Sequence, residues 1–361
     1  MAHGGTNFGF YSGANTGVDE SDYKPDLTSY DYDAPIRESG NVGNAKFNAL
    51  QRVIGLHSAA SLPLVPPSIK SAGHGRIRLR QIGYLFDLLD TLSPAGVVES
   101  EKPRSMESVG QMFGFLLYVS KYAAKDDGNI LSIPKVHDRA QVFISCPSKD
   151  NGGRLTHVGS IERWSNNRLR LPNTKCSSNI NLFILVENMG RINYGPYLFD
   201  KKGILSSVFV NGRILHGWKM ISLPFDNLNV LSKIEPIIRV AHSRFIKALW
   251  HNISDENSES ISKEPAIYAG HFSVENMKQD TFISFSGWGK GVAFVNDFNI
   301  GRYWPLVGPQ CTLYVPAPIL RRGKNVLVLL ELESRNPELV VHSVDKPHFT
   351  CGPIKSSVHQ L

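Results

Sequence analysis

Cysteine is scarce, and what there is follows no metal pattern. The 361 residues hold four: Cys146, Cys176, Cys311 and Cys351. None forms a C-x-x-C or a Cys/His spacing of the zinc type, and no metal or organic cofactor is expected. Two disulfides stay open, in any of three connectivities. Long apolar runs are missing too. The longest, near residues 112–119, has strand length, far below the ~20 residues that span a bilayer. No membrane partner is expected. The first residues lack a basic n-region and an apolar h-region, so no signal peptide is read there. Charge of one sign is nowhere concentrated. The formal net charge is +7 and the pI about 9.1. Yet the basic residues are scattered, apart from small groups such as Arg76, Arg78 and Arg80, or residues 321–324. No nucleic-acid module surrounds them, so no nucleic-acid partner is expected. A solvated basic surface is the plain reading, and salt-sensitive retention on anionic polysaccharide the functional one. Gly4-Gly5-Thr6-Asn7 lacks a Walker spacing and a following lysine, which excludes a phosphate loop.

What is present suits packed globular structure. Hydrophobic residues make up 42% and charged residues 20%, and the length allows two or three domains. From about Ser105 the pattern is all-β. Residues 112–119, 140–146, 182–186 and 208–210 are short apolar or alternating runs. Asn211-Gly212 predicts a hairpin, because that pair tolerates the positive φ of a type I′ turn. A polar stretch over 226–264 separates a second β block at 281–285, 292–295, 312–315 and 326–332. Asn296-Asp297 predicts another hairpin there. Asn252-Ile253-Ser254 is an N-glycosylation sequon, with Asn252 as acceptor.

Upstream the patterning differs. Residues 1–10 read as one short buried strand, with Gly4, Gly5 and Gly9 permitting close backbone approach. Residues 11–44 read as loop. Phe47, Leu50, Val53 and Ile54 recur at helical spacing, and Gly55 is a reasonable stop. Pro63, Pro66 and Pro67 mark a linker. Over 76–100 a strand from Ile77 to Phe86 is suggested by Ile77 and Leu79 alternating with Arg78 and Arg80.

The words His3-Gly4-Gly5-Thr6-Asn7-Phe8-Gly9 and Tyr30-Asp31-Tyr32-Asp33-Ala34-Pro35, with the helix after them, carry a resemblance. They resemble the last strand, last active-site loop and last helix of the (β/α)8 barrel in retaining β-galactosidases of glycoside hydrolase family 35. The plant members look most similar, and the likeness runs to about residue 345. It implies a mainly β chain: two β-sandwich domains, jelly-roll and galactose-binding-like, after a one-strand, one-helix remnant of a TIM barrel. The expected partition is a barrel remnant at 1–56 and a connecting region at 57–104. The first sandwich covers 105–225, the second covers 226–345, and a loose tail covers 346–361.

The resemblance also implies the chemistry. A retaining glycosidase needs two carboxyl groups about 5–5.5 Å apart. In the family both are glutamates on earlier barrel strands, and neither setting is found here. The catalytic residues are therefore expected outside this chain, which alone would be inactive. Tyr32 matches the family tyrosine that lines the galactose pocket and is the expected substrate-binding residue. Its ring suits a sugar's C–H face and its hydroxyl can hydrogen-bond. Asp31 and Asp33, at strand-like spacing, could be read as an acid and a nucleophile; the preferred reading is a polar loop ordered by its own hydrogen bonds. Trp288, Tyr303 and Trp304 are possible carbohydrate contacts, though core or interface packing is preferred for them. Val136-His137-Asp138-Arg139-Ala140 and the segment from Val186 to Gly195 also resemble family words and read as structural. Galactosides or cell-wall galactan are the expected partners, and oligomeric state is left open. Family members are secreted, to the wall or vacuole. The alternative function is a non-enzymatic carbohydrate-binding module.

Overall fold

A computed structural model describes all residues except 1, 32, 66, 68–69, 94, 124–127, 147–154, 174–178, 226–262, 276–277 and 354–361. It resolves into two compact units that share the chain unevenly. One comprises Met1–Tyr11, Leu27–Ile82 and Ala266–Leu361; the other comprises Ser12–Asp26 and Gly83–Pro265.

The second of these is the first sandwich. Its larger sheet runs Val97–Ser100, Trp218–Leu223, Phe115–Tyr122, Ile180–Glu187, Arg139–Ser145 and Thr156–Glu162 in spatial order, with every neighbour antiparallel. The smaller sheet runs Arg168–Leu171, Asn129–Ser132, Phe209–Val210 and Arg213–Ile214. Leu116, Tyr118, Val142, Ile184 and Leu131 are among the side chains buried in the core of this unit. The middle strands are near-continuous apolar runs and not alternating ones, because both faces of the sheet are covered. Phe86, from the 3-10 turn Leu85–Leu88, meets Phe143 and Phe183 edge-on at 5.2 and 5.8 Å. Such contacts suit the ring quadrupole. The Asn211-Gly212 hairpin forms as expected, with φ of 52° and 74°.

The other unit is built on one eight-stranded sheet. Its order is Phe298–Tyr303, Gly291–Val295, Gly323–Glu331, Ala266–Val274, Gly75–Tyr84, Val340–Val344, Thr281–Ser284 and Thr312–Val315. The two edge strands, Phe298–Tyr303 and Thr312–Val315, lie against each other. The sheet therefore curls on itself in the jelly-roll manner, which removes exposed edges. Asn296 and Asp297 turn its first hairpin, with φ of 49° and 72°.

Several local expectations change. The region 57–104 is not simply a connector: Gly75–Tyr84 is a ten-residue strand inside the eight-stranded sheet. Its period-2 pattern sends Ile77 and Leu79 into the core and leaves Arg78 and Arg80 exposed. Residues 1–56 do not stay together, since Ser12–Asp26 belongs with the first sandwich. There Gly13–Thr16 pairs parallel with Arg191–Ile192 and antiparallel with Tyr23–Pro25. Gly190, at φ 119°, admits Ser12 and Gly13 where any Cβ would strike their carbonyls. Residues 1–10 make no continuous strand. They form single bridges, His3 with Ile36 and Thr6 with Ser29. The helix does form, over Ala45–His57, past Gly55. Asn44 caps it by accepting from the Phe47 N–H at 2.9 Å. None of its residues is buried, and Leu50, Val53 and Ile54 remain exposed. The tail is tied down as far as Cys351. Cys311 and Cys351 form a disulfide, and the Cys311 N–H donates to the His348 carbonyl at 2.8 Å. Cys146 is also disulfide-bonded; Cys176 lies outside the described residues.

Candidate functional site

Three clusters of buried polar side chains could carry chemistry, and each is fixed by local sequence. The first is the loop over residues 28–38. Thr28 is fully buried and anchors it. Its hydroxyl accepts from the Arg302 N–H at 2.9 Å and donates to the Arg302 carbonyl at 2.8 Å. The Asn7 N–H donates to the Thr28 carbonyl at 2.7 Å, and the Tyr30 N–H to the Gly5 carbonyl at 2.8 Å. Tyr32 lies outside the described residues.

Asp31 and Asp33 sit in different surroundings, the first buried and the second exposed. Asp31 is 2% exposed, with Oδ1 at 3.5 Å from Arg37 Nη1 and Oδ2 without a hydrogen-bond partner among the described residues. Asp33 is exposed, at φ 80°, and Lys46 Nζ binds both its carbonyl (2.8 Å) and its carboxylate (2.9 Å). That lysine hydrogen bond holds the Asp33 carboxyl below its ordinary range. Arg37 reaches both carboxylates, since its Nη2 also lies 3.8 Å from Asp33 Oδ1.

Glu38 was not visible as a site residue in the sequence. Its carboxylate accepts from the Thr6 hydroxyl at 2.6 Å, tying the two motif segments together. Burial pushes its carboxyl up to about 7, and the charge of Asp31 adds to this against hydrogen bonds from Thr6 and Ser29. A carboxyl whose folded pKa is raised stabilises the fold fully below its unfolded value near 4.5. That contribution is lost as pH climbs to about 7. Glu38→Gln should therefore match the parent below pH 4.5 and gain on it with rising pH. The gain should reach about 3 kcal/mol above pH 7. Calorimetric melts of both proteins between pH 4 and 8 check this; a difference that does not vary with pH would refute it.

The second cluster surrounds the expected aromatics. Trp288 is fully buried, donates its indole N–H to the Val340 carbonyl at 2.8 Å and meets Tyr268 edge-on. Tyr303 stacks on Phe285 at 4.3 Å and donates to Glu331 Oε2 at 2.9 Å. Burial pushes the Glu331 carboxyl to about 7 despite hydrogen bonds from Lys290, Glu333, Ser334 and Tyr303. Neither Trp288 nor Tyr303 can stack on a sugar, because both rings fill the sandwich interior. Trp304 is half-buried, with Lys290 Nζ 4.8 Å from its ring centroid. Asn252 lies outside the described residues.

The third cluster is a buried ion network in the first sandwich. His137, Asp138 and Asp200 present ligand atoms within 4.8 Å of one another, as a metal site would. The chain itself supplies the cations. Lys202 Nζ stands 2.7 Å from both Asp138 and Asp200, and Arg163 Nη1 lies 3.1 and 2.8 Å from them. Burial alone would raise the Asp200 carboxyl, but His137, Lys202 and Arg163 together hold it well below the usual range. Tyr23 lies over this network, 4.5 Å from the Arg163 guanidinium and 5.0 Å from Lys202 Nζ. The His137-Asp138-Arg139 word was legible as a structural motif. Asp200, Lys202 and Arg163 were not, since no spacing links them to it.

Three family models match the chain. "Glycosyl hydrolases family 35" covers residues 1–57. "Beta-galactosidase, first all-beta domain" covers 103–224. "Beta-galactosidase, galactose-binding domain" covers 265–325. Beta-galactosidase 17 of Arabidopsis thaliana is 57% identical over 364 residues, covering 100% of this chain and 51% of that protein. Beta-galactosidase 8 of Oryza sativa subsp. japonica is 55% identical, covering 98% and 54%. A beta-galactosidase of Bos taurus is 35% identical, covering 97% and 52%. The chain thus spans about half the length of the curated relatives it matches. Among solved structures, a Bacteroides uniformis beta-glucuronidase aligns at a TM-score of 0.20 and 11% identity, over 62% of this chain and 23% of its own. That overlap is too slight to carry an argument.

Proposed function

The chain belongs to glycoside hydrolase family 35, and from that premise we propose that its residues are part of a β-galactosidase. The whole enzyme releases terminal β-linked galactose with retention, through a galactosyl-enzyme formed on one of two carboxylic acids. Its substrates are galactosides, including cell-wall galactan. The observation that carries this reading is the identity of 57% and 55% to two plant beta-galactosidases along nearly all of the chain. Within it, the loop over 28–38 delivers Tyr32 to the sugar. The ties of Thr28 to Arg302 and of Thr6 to Glu38 support that role, because a contact loop acts only when its backbone is held. The two sandwiches are scaffold. The same proposal places the protein outside the cell or in the vacuole, which the Cys311–Cys351 disulfide supports.

The 361 residues alone are inactive in this reading. The paired carboxylates that the sequence offers, Asp31 and Asp33, are respectively buried against Arg37 and held by Lys46. The test compares hydrolysis of a chromogenic β-galactoside by the chain with that by a chimera carrying a relative's barrel segment upstream of residue 1. Activity is expected in the chimera alone. Tyr32→Phe in the chimera should lower kcat/KM by about tenfold to a hundredfold, the worth of one hydrogen bond to substrate. Turnover by the chain itself, abolished by Asp31→Asn or Asp33→Asn, would sink the proposal. A carbohydrate-binding role without hydrolysis rests on Trp304, the one of the three candidate aromatics that is not fully buried. It predicts galactan binding that Trp304→Ala removes.

A further inference from the structure

The first sandwich carries a basic groove that the hydrolytic reading does not use. It has a volume of about 450 Å³ and is lined by Lys102, Ser105, Lys135, Lys201, Ser206 and Ser207 among others. Lys102 and Lys201 are exposed, and no carboxylate engages either ammonium among the described residues. Lys135 is paired with Glu20 at 2.7 Å, but both partners are over two-fifths exposed, so the pair is weak and open to exchange. The backbone beneath is fixed. The Lys135 N–H donates to Ser206 Oγ at 3.0 Å, and the Leu205 N–H donates to the Lys135 carbonyl at 2.9 Å. Gly203–Ile204 pairs antiparallel with Val136–His137, and the Ile204 N–H donates to the Tyr118 hydroxyl. The amines therefore stand on a preorganised floor.

Lys135 also lines a second cavity, of about 190 Å³, together with Arg163. The Arg163 side chain is 2% exposed. Its Nη1 serves Asp138 and Asp200 and its Nε the Glu20 carbonyl, so the guanidinium fixes the wall of that cavity. The 450 Å³ groove has no aromatic side chain, so it offers no platform for bases and does not suit single-stranded nucleic acid. Ammonium groups interleaved with hydroxyls suit a ligand that carries both carboxylates and hydroxyls.

We propose that this groove binds an acidic oligosaccharide of the uronate type, its carboxylates on Lys102, Lys135 and Lys201 and its hydroxyls on Ser105, Ser206 and Ser207. The site lies apart from residues 28–38 in the sequence and needs no hydrolysis, so its test stands independently of the β-galactosidase reading.

Oligogalacturonate titrated calorimetrically into the 361-residue chain is the probe, with a neutral galacto-oligosaccharide and inorganic sulfate as comparisons. Binding is expected for the uronate alone, and it should weaken with added salt. Lys102→Glu with Lys201→Glu should weaken it by about tenfold or more, since two attractions become repulsions. The same reversal at Arg321 and Lys324, in another basic group of the sequence, should leave it unchanged. Melting curves accompany both variants, and Lys102→Gln with Lys201→Gln replaces the reversal if that one fails to fold. Absence of uronate binding would overturn the proposal. So would sulfate binding as tight as uronate, or an equal loss in both double variants, which would mean attraction to net charge alone.

Discussion

Lys202→Met is expected to lower the hydrogen-exchange protection of strands Arg139–Ser145 and Ile180–Glu187 by about two to four orders of magnitude. Methionine keeps the length and volume of the lysine stem but removes its charge. Asp138 and Asp200, 0% and 1% exposed in their side chains, would then face each other with Arg163 as the one remaining permanent cation. The Gly190 carbonyl would lose one of its two donors, the ammonium 2.6 Å away, and keep the Tyr23 hydroxyl. Breaking a buried pair by removing one partner costs about 3–5 kcal/mol, because the charge left behind cannot regain water. Protection equal to that of the parent would mean that an apolar side chain serves the site as well as the ion network does.

The second large effect is expected at Trp288. Trp288→Ala should destabilise the eight-stranded unit by about 3–5 kcal/mol through the cavity it leaves. It also leaves the Val340 carbonyl without its 2.8 Å donor, a further cost of about 1 kcal/mol. Trp304→Ala should cost less, since that residue is not fully buried. Urea unfolding monitored by exchange at strand Gly291–Val295 separates the two. Equal effects would mean that Trp304 is as much a core residue as Trp288, and the sugar-stacking reading of Trp304 would lose its basis.

Both predictions concern residues that the sequence presented unequally. Trp288, in Gly287-Trp288-Gly289-Lys290-Gly291, was legible as a candidate contact, but its direction was not. An aromatic at a strand end can face a sugar or a core with the same neighbours in sequence. The curl of the eight-stranded sheet decided it by closing over the ring. Lys202 gave no signal. It lies 64 residues from Asp138, and two consecutive lysines read as solvated charge until the ladder between Gly203–Ile204 and Val136–His137 turns one of them inward. Glu38 is similar: its carboxyl becomes unusual because the segment containing Thr6 packs beside it.

The sequence by itself carried the family resemblance, the mainly β class, the helix that holds Phe47, Leu50, Val53 and Ile54, and the hairpins at Asn211 and Asn296. Those features depend on local chemistry: a helical spacing, a tolerated positive φ, an alternation of apolar residues. Tertiary structure alone decided how the chain divides. Ser12–Asp26 joins one unit and Gly75–Tyr84 the sheet of the other, because pairing partners for a short segment are chosen by which sheet offers a free edge and a complementary surface. It also decided which charges are buried together, since desolvation is a property of a place in the fold and not of a residue type.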